Sequence, residues 1–321
     1  MDLSTLSTQA MTTAWVVYLI AMVAHALEWS VARNLSTKVE RKRRRVLVGA
    51  GAAAGADLPT ATEETRVETT EDPRLARFGK VGLLLTTVAF VFHLVGVVTR
   101  GLAGDRFPWA NMYEFITSTL LFVVAAYLVG AVRFGMRWAG LFVTLLSTIG
   151  IGLAVTVFYV DVAPLVPALH SVWFVIHIVT AAVSAAAFNL GAVATILYLV
   201  RDRAERKGTV RGYLAKLPSA ERLDVIAYRF HAFSFPLWTF TIAAGAVWAQ
   251  FAWGRFWGWD PKETWSLITW VAYAAYLHAR ATAGWRGRKA AVIALIGVAT
   301  FWFNYIGVNM LIPGLHSYAG I

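Results

Sequence analysis

The chain of 321 residues contains no cysteine. It cannot form a disulfide, relay electrons through thiols or hold a metal by thiolate, so any metal site must use His, Met or oxygen ligands. Charge is also scarce. Asp, Glu, Lys and Arg make up 15% of the residues, well below the roughly 25% of a soluble domain. The first nine residues carry no basic group before their apolar run, which departs from a cleaved signal peptide and leads us to expect a retained first span. No internal repeat is visible.

Apolar residues fill most of the remaining chain. They make up 58% of it, and the mean hydropathy is +0.60. Windows of about 20 apolar residues recur along it, the mark of an all-α, polytopic membrane protein. Eight transmembrane helices are predicted, at roughly 12–31, 81–99, 113–132, 138–158, 172–200, 232–250, 265–282 and 289–308.

Orientation follows from Lys and Arg, which concentrate in cytoplasmic loops. With the N-terminus outside, inner segments hold 25 of the 29 basic residues; only Arg100, Arg106, Arg255 and Lys262 fall outside. An odd number of spans would destroy that split, so both termini are predicted to be extracytoplasmic. The net charge of +11 is thereby absorbed by inner loops, and no nucleic acid partner is expected. The run Arg41-Lys-Arg-Arg-Arg45 reads as a lipid-facing anchor beside the first span. Gly49 to Asp72, rich in Ala, Gly, Thr and Glu, reads as a flexible linker. We therefore divide the chain into residues 1–80, a first helix plus basic linker, and residues 81–321, the main transmembrane domain.

One outer stretch is unlike the rest: Trp253-Gly-Arg-Phe-Trp-Gly-Trp-Asp-Pro-Lys-Glu-Thr-Trp265. Four tryptophans fall within it, interleaved with charges and glycines. A tryptophan belt needs no ligand, because indoles favour the membrane interface anyway. A belt does not, however, require glycines or an Asp-Pro turn, and a platform for a flat ligand accounts for both. Asp260 before Pro261 reads as a turn, and Glu263 as a helix cap. Upstream, Asn111 and Glu114 stand where they can cap the third span.

Seven histidines are present. His170, His177 and His316 fall on the same predicted side as the tryptophans, and His170 and His177 are spaced to share a helical face. His278 lies about 20 Å below the entrance of the seventh span, buried and unpaired. His25 and His93 lie within spans, where imidazole either serves a function or bonds a neighbouring helix. His231 falls at the inner membrane edge and is assigned no role. Imidazoles flanking indoles suit a planar metal macrocycle: haem iron takes two axial histidines, and Arg255 or Lys262 can meet its propionates or, equally, lipid phosphates.

The tryptophan stretch resembles the WWD motif of haem-handling proteins. Within that superfamily, Asn111-Met-Tyr-Glu114, Trp173-Phe-Val-Ile-His177, His278-Ala-Arg280, Gly284-Trp-Arg-Gly287, Gly307-Val-Asn309 and Gly314-Leu-His-Ser-Tyr318 resemble the CcsA/ResC branch, which serves system II cytochrome c maturation. The resemblance covers roughly residues 81–321 and is most specific over 248–318; the first span and basic linker match weakly.

The resemblance implies a subunit of a holocytochrome c synthase (haem lyase) complex in the plasma membrane. It implies haem b as bound substrate, a ResB-type membrane partner, and apocytochrome c receiving haem at CxxCH on the outer face. His177 and His316 would be the external axial ligands. His278 would be an intramembrane ligand whose axial partner comes from the ResB-type protein. Trp253, Trp257, Trp259, Asp260 and Trp265, in the external segment 251–265, would complete the haem site. Thiol reduction would come indirectly from a thioredoxin-like protein. His170 has no implied role. The alternatives are a CcmC-like haem delivery protein, which typically has fewer spans, an electron-transfer b-type cytochrome, and a transporter or scaffold without haem.

Overall fold

A computed structural model describes residues 2–52, 73–282 and 284–316. The greater part of the predicted linker, residues 53–72, together with Ser317, Tyr318 and the side chains of the basic run, lies outside the described residues. Among those described, every regular element is helical. In order they are α1 (Leu3–Ala52), α2 (Pro73–Ala103), α3 (Met112–Arg133), α4 (Gly140–Thr156), α5 (Val172–Arg206), α6 (Ala220–Trp253), α7 (Pro261–Ala281) and α8 (Arg288–Trp302). A π-helical turn, Phe303–Gly307, then leads into the short α9 (Val308–Leu311).

The chain is a polytopic membrane protein. Among the described residues, seven helices are long and apolar enough to span a bilayer. The predicted span at 265–282 is not among them but is also a helix, α7, whose 21 residues extend about 31 Å. Its Thr, Trp, Tyr and His side chains keep it less apolar than the others. α2 begins at Pro73, so the sequence division at residue 80 falls within it.

α1 packs on α2 and α4, α5 on α6 and α8, and α7 on α8, while α3 joins the two groups through α4 and α5. Lipid is as apolar as the side chains, so helices associate through small residues and interhelical hydrogen bonds. Alanines accordingly crowd the core, and hydroxyls and indoles bond across it. Ser7 Oγ donates to Gly96 O at 2.7 Å, Ser234 Oγ to Ser184 O at 2.8 Å, and Trp15 Nε1 to Thr148 O at 2.9 Å.

A buried ion cluster braces the segment between α2 and α3. Arg100 Nε donates to Glu114 at 2.9 Å and Arg106 Nη1 at 2.7 Å, with the Glu114 side chain fully buried. The same guanidinium groups donate to Val160 O at 2.6 Å and Ala163 O at 3.1 Å, tying two interhelical segments together. Asn111 caps α3 as the sequence suggests, accepting from Glu114 N at 3.0 Å. Glu114 itself holds the arginines and accepts from Ala110 N at 2.8 Å. That contact fixes the backbone beside Trp109, which forms one wall of the cleft described next.

Candidate functional site: an aromatic cleft with two histidines

The ends of α3, α5, α6 and α7 and the segment after α8 enclose a cleft with about 1170 Å³ of atom-free space, its open mouth included. Its walls are mainly apolar and aromatic, with Trp109, Phe174, Trp238, Trp248, Phe256 and Trp257 among them. Both His177 and His316 line it. This is the usual composition of a ligand site: much apolar surface and a few placed polar groups.

His177 is held from α6. Its Nδ1 lies 2.9 Å from Thr241 O. A carbonyl only accepts, so Nδ1 donates and Nε2 keeps a lone pair. The approach depends on Gly245: a Cβ there would stand 2.7 Å from His177 Nδ1.

His316 is held from the N-terminus of α7. Asp260 caps that helix in a reciprocal capping box with Glu263. The same carboxylate reaches the C-terminal segment. His316 Nδ1 donates to Asp260 Oδ2 at 2.8 Å, and Leu315 N donates to Oδ1 at 2.7 Å. Gly314 allows this approach, because a Cβ would meet Asp260 Oδ1 at 2.7 Å. Burial alone would raise the Asp260 carboxyl. The hydrogen bonds from His316 and Leu315, His316's charge when protonated and the Lys262 N–H outweigh it and hold the group below the ordinary carboxylate range. Asp260 is thus more than the turn residue read from the sequence: it fixes the imidazole of His316.

Trp248 stands between the two histidines. Its ring is 5.8 Å from that of His177, nearly parallel, and 5.6 Å from that of His316. Its Nε1 donates to Ala168 O at 2.8 Å, which fixes the indole plane. Sequence reasoning missed Trp248, Thr241 and Gly245, since each sits within an apolar helix.

The four tryptophans of the outer stretch separate. Trp257 lines the cleft. Trp253 packs 4.8 Å from the ring of His316. Trp265 packs on Phe303 at 4.2 Å, outside the cleft lining. Trp259 is 67% exposed and has φ +58°, a left-handed conformation that a bulky side chain rarely adopts. Glu263 Oε2 holds that turn by accepting from Gly258 N at 2.8 Å and Asp260 N at 3.1 Å.

A family model described as "Cytochrome C assembly protein" matches residues 109–316, a stretch that includes every residue lining the cleft. A protein named cytochrome c biogenesis protein CcsA from Guillardia theta is 38% identical over 263 residues, covering 74% of this chain and 85% of that relative. The chain belongs to the CcsA family of cytochrome c biogenesis proteins. CcsA of Porphyra purpurea is 35% identical over 291 residues, with 77% and 89% covered, and CcsA of Microcystis aeruginosa is 35% identical over 298 residues, with 77% and 88% covered. Cytochrome c biogenesis is therefore the process this CcsA-family chain serves.

The remaining histidines of this CcsA-family chain lie elsewhere. His278 is in the last turn of α7, and its side chain is exposed on the outside of the bundle rather than buried. Depth along a helix says nothing about which face a residue occupies. His170 precedes α5 and donates to Leu165 O at 3.2 Å, so it shares no helical face with His177.

His93 donates through Nε2 to Thr117 O at 2.8 Å and its Nδ1 lies 3.3 Å from the Tyr18 hydroxyl. His25 lies 3.5 Å from Thr86 Oγ1 and 3.7 Å from Glu28. His231 is fully buried within the bundle, and its Nδ1 has no hydrogen-bond partner among the described residues. Its Nε2 lies 3.2 Å from Thr195 Oγ1.

Proposed function

We propose that this chain binds haem b in the aromatic cleft, with His177 and His316 as axial ligands, and presents it at the outer membrane face to apocytochrome c. The observation that carries the reading is the state of the two imidazoles. Each has Nδ1 engaged by an acceptor of the protein, and both border one cleft. Metal-bound histidines generally donate their second nitrogen in this way, which sets tautomer, plane and basicity. The donor set fits haem: two imidazoles, no thiolate and a surround of indoles.

When bound, the porphyrin supplies two vinyl groups, to which the thiols of CxxCH add S–H across C=C without a net oxidant. The chain's own share is positional. Thr241 and Asp260 hold the imidazoles, Trp248 and Trp257 form walls, and the apolar lining excludes water from the face of the ligand. With no cysteine, the chain leaves thiol reduction to a thioredoxin-like protein acting on the apocytochrome.

His278, exposed on α7, supplies half of an intramembrane site that a ResB-type membrane partner completes. An ionisable group on the bundle surface at membrane depth is costly unless a partner covers it. With α7 counted as a crossing, the 25-to-4 division of basic residues supports a cleft on the extracytoplasmic side of the plasma membrane. The haem-handling part is the expected domain 81–321, its start taken back to that of α2 at Pro73. A b-type cytochrome would draw on the core histidines, but both nitrogens of His93 face groups of neighbouring helices and His231 Nε2 faces Thr195.

Co-expression with a ResB-type protein and a CxxCH reporter, in a host lacking its own maturation system, tests the reading. Covalent haem on the reporter is expected with the wild type and not with His177→Ala or His316→Ala. Equal reporter maturation by all three would overturn it.

A further inference from the structure

Lys262 is the sole Lys or Arg among the residues lining the cleft. Its ammonium group does not pair with an acid of the described residues. It donates instead to two neutral carbonyls, Asn304 O at 2.7 Å and Tyr305 O at 3.4 Å, and lies 5.9 Å from the Tyr305 ring centroid. An ammonium has three N–H donors, so one remains for a ligand.

The nearby carboxylates are spent elsewhere. Asp260 serves His316, Leu315 and the backbone N–H of Lys262. Glu263 accepts from Gly258 and Asp260 through Oε2, while its Oε1 makes no hydrogen bond and faces Arg255 at 3.6 Å. Arg255, the other outer cation of the tryptophan stretch, therefore has a counter-charge and does not line the cleft.

The carbonyls that hold Lys262 belong to the π-helical turn Phe303–Gly307. Such turns displace backbone groups from ordinary i−4 pairing and cluster at functional sites. Beside them Asn304 Oδ1 is buried without a hydrogen-bond partner. The cleft thus has two imidazoles and, on the α7 wall, one amine that bonds only neutral carbonyls, with Asp260 acting on it from a distance. A ligand complementary to it carries a carboxylate at its edge.

We propose that Lys262 is the anchor for a carboxylate of the cleft's ligand, namely a haem propionate. This rests on the haem reading above and adds to it which edge of the ligand faces α7. Charge-assisted N–H···O⁻ contacts are shorter and stronger than those to neutral carbonyls, so the remaining N–H of the ammonium takes the propionate on binding.

The test titrates the full chain in lipid nanodiscs with ferric haem and, separately, with haem dimethyl ester, which lacks both carboxylates. Wild type, Lys262→Gln and Lys262→Arg are compared by absorption spectra. Lys262→Gln keeps N–H donors for the carbonyls of Asn304 and Tyr305 but removes the charge. Expected is about a tenfold weaker affinity of Lys262→Gln for haem, little change for the ester, and near wild-type haem binding by Lys262→Arg. Unchanged haem affinity in Lys262→Gln would overturn the assignment, as would equal weakening for haem and ester, which marks a purely structural role. If the wild type binds neither, the haem reading itself falls and this inference with it. If it binds both with bis-histidine spectra while Lys262→Gln matches it, only the lysine assignment falls.

Discussion

The two cleft histidines and the core histidine His93 occupy one helical bundle and have opposite hydrogen-bond states. In the core, His93 is engaged at both nitrogens, by a carbonyl on one side and a phenol on the other. It joins α1, α2 and α3 much as a serine or asparagine would. At the cleft, His177 and His316 are each held through Nδ1, and the other nitrogen remains for a ligand. An imidazole saturated by neighbours is structural. One that is aimed but half satisfied is available for chemistry.

The largest expected effects separate these classes. His177→Ala or His316→Ala should abolish six-coordinate haem, a loss beyond the ~10–100-fold typical of disturbing a ligand's supporting partner. Absorption spectra of the purified protein check this, and the melting temperature should move little. Asp260→Asn comes next, with haem affinity lowered by ~10–100-fold as one oxygen must serve where two accepted from His316 and Leu315.

Asp260 also sets a pH dependence. Its pKa is depressed in the fold, so its stabilisation is present above the unfolded carboxylate value. It is lost only as pH falls through the lower folded value. The spectral contribution of His316 should therefore not track Asp260 at pH 5 or above, and a transition there that vanishes in Asp260→Asn would contradict the assignment.

Smaller effects probe the core. His93→Ala orphans the Thr117 carbonyl and the Tyr18 hydroxyl, which should cost ~1–3 kcal/mol of stability and leave haem spectra unchanged. A changed haem spectrum would erase the distinction between the two classes. Trp259→Gly should be the mildest. It removes an exposed ring and relieves a left-handed backbone, so stability should shift by no more than ~1 kcal/mol in thermal unfolding.

Much of the fold was legible in the sequence because apolar windows are local. Each predicted span corresponds to a helix, α7 included, although that helix is the least apolar. The ends were less legible. α6 begins 12 residues before its predicted span at 232, at Ala220, since a polar helical extension carries no hydropathy signal. Nor did hydropathy show that His231 is buried within the bundle.

Of the cleft, the tryptophan stretch and three outer histidines could be read from residue type and from the predicted side of the membrane, and the family resemblance singled out His177 and His316 among them. Their supports could not. Asp260 and His316 are 56 positions apart, and His177 and Thr241 are 64 apart. No periodicity encodes contacts of that span. Nor does periodicity single out Gly245, an ordinary small residue in a helix until its neighbour is known to be His177.

The most direct measurement is the absorption spectrum of His177→Gly and His316→Gly, purified with the membrane partner, before and after addition of imidazole. The account expects each variant to lose the six-coordinate signature and imidazole to restore it in part, because the cavity left by the side chain opens into the cleft. Unaltered bis-histidine spectra in both variants, with no response to imidazole, would contradict the assignment of His177 and His316 as the two ligands.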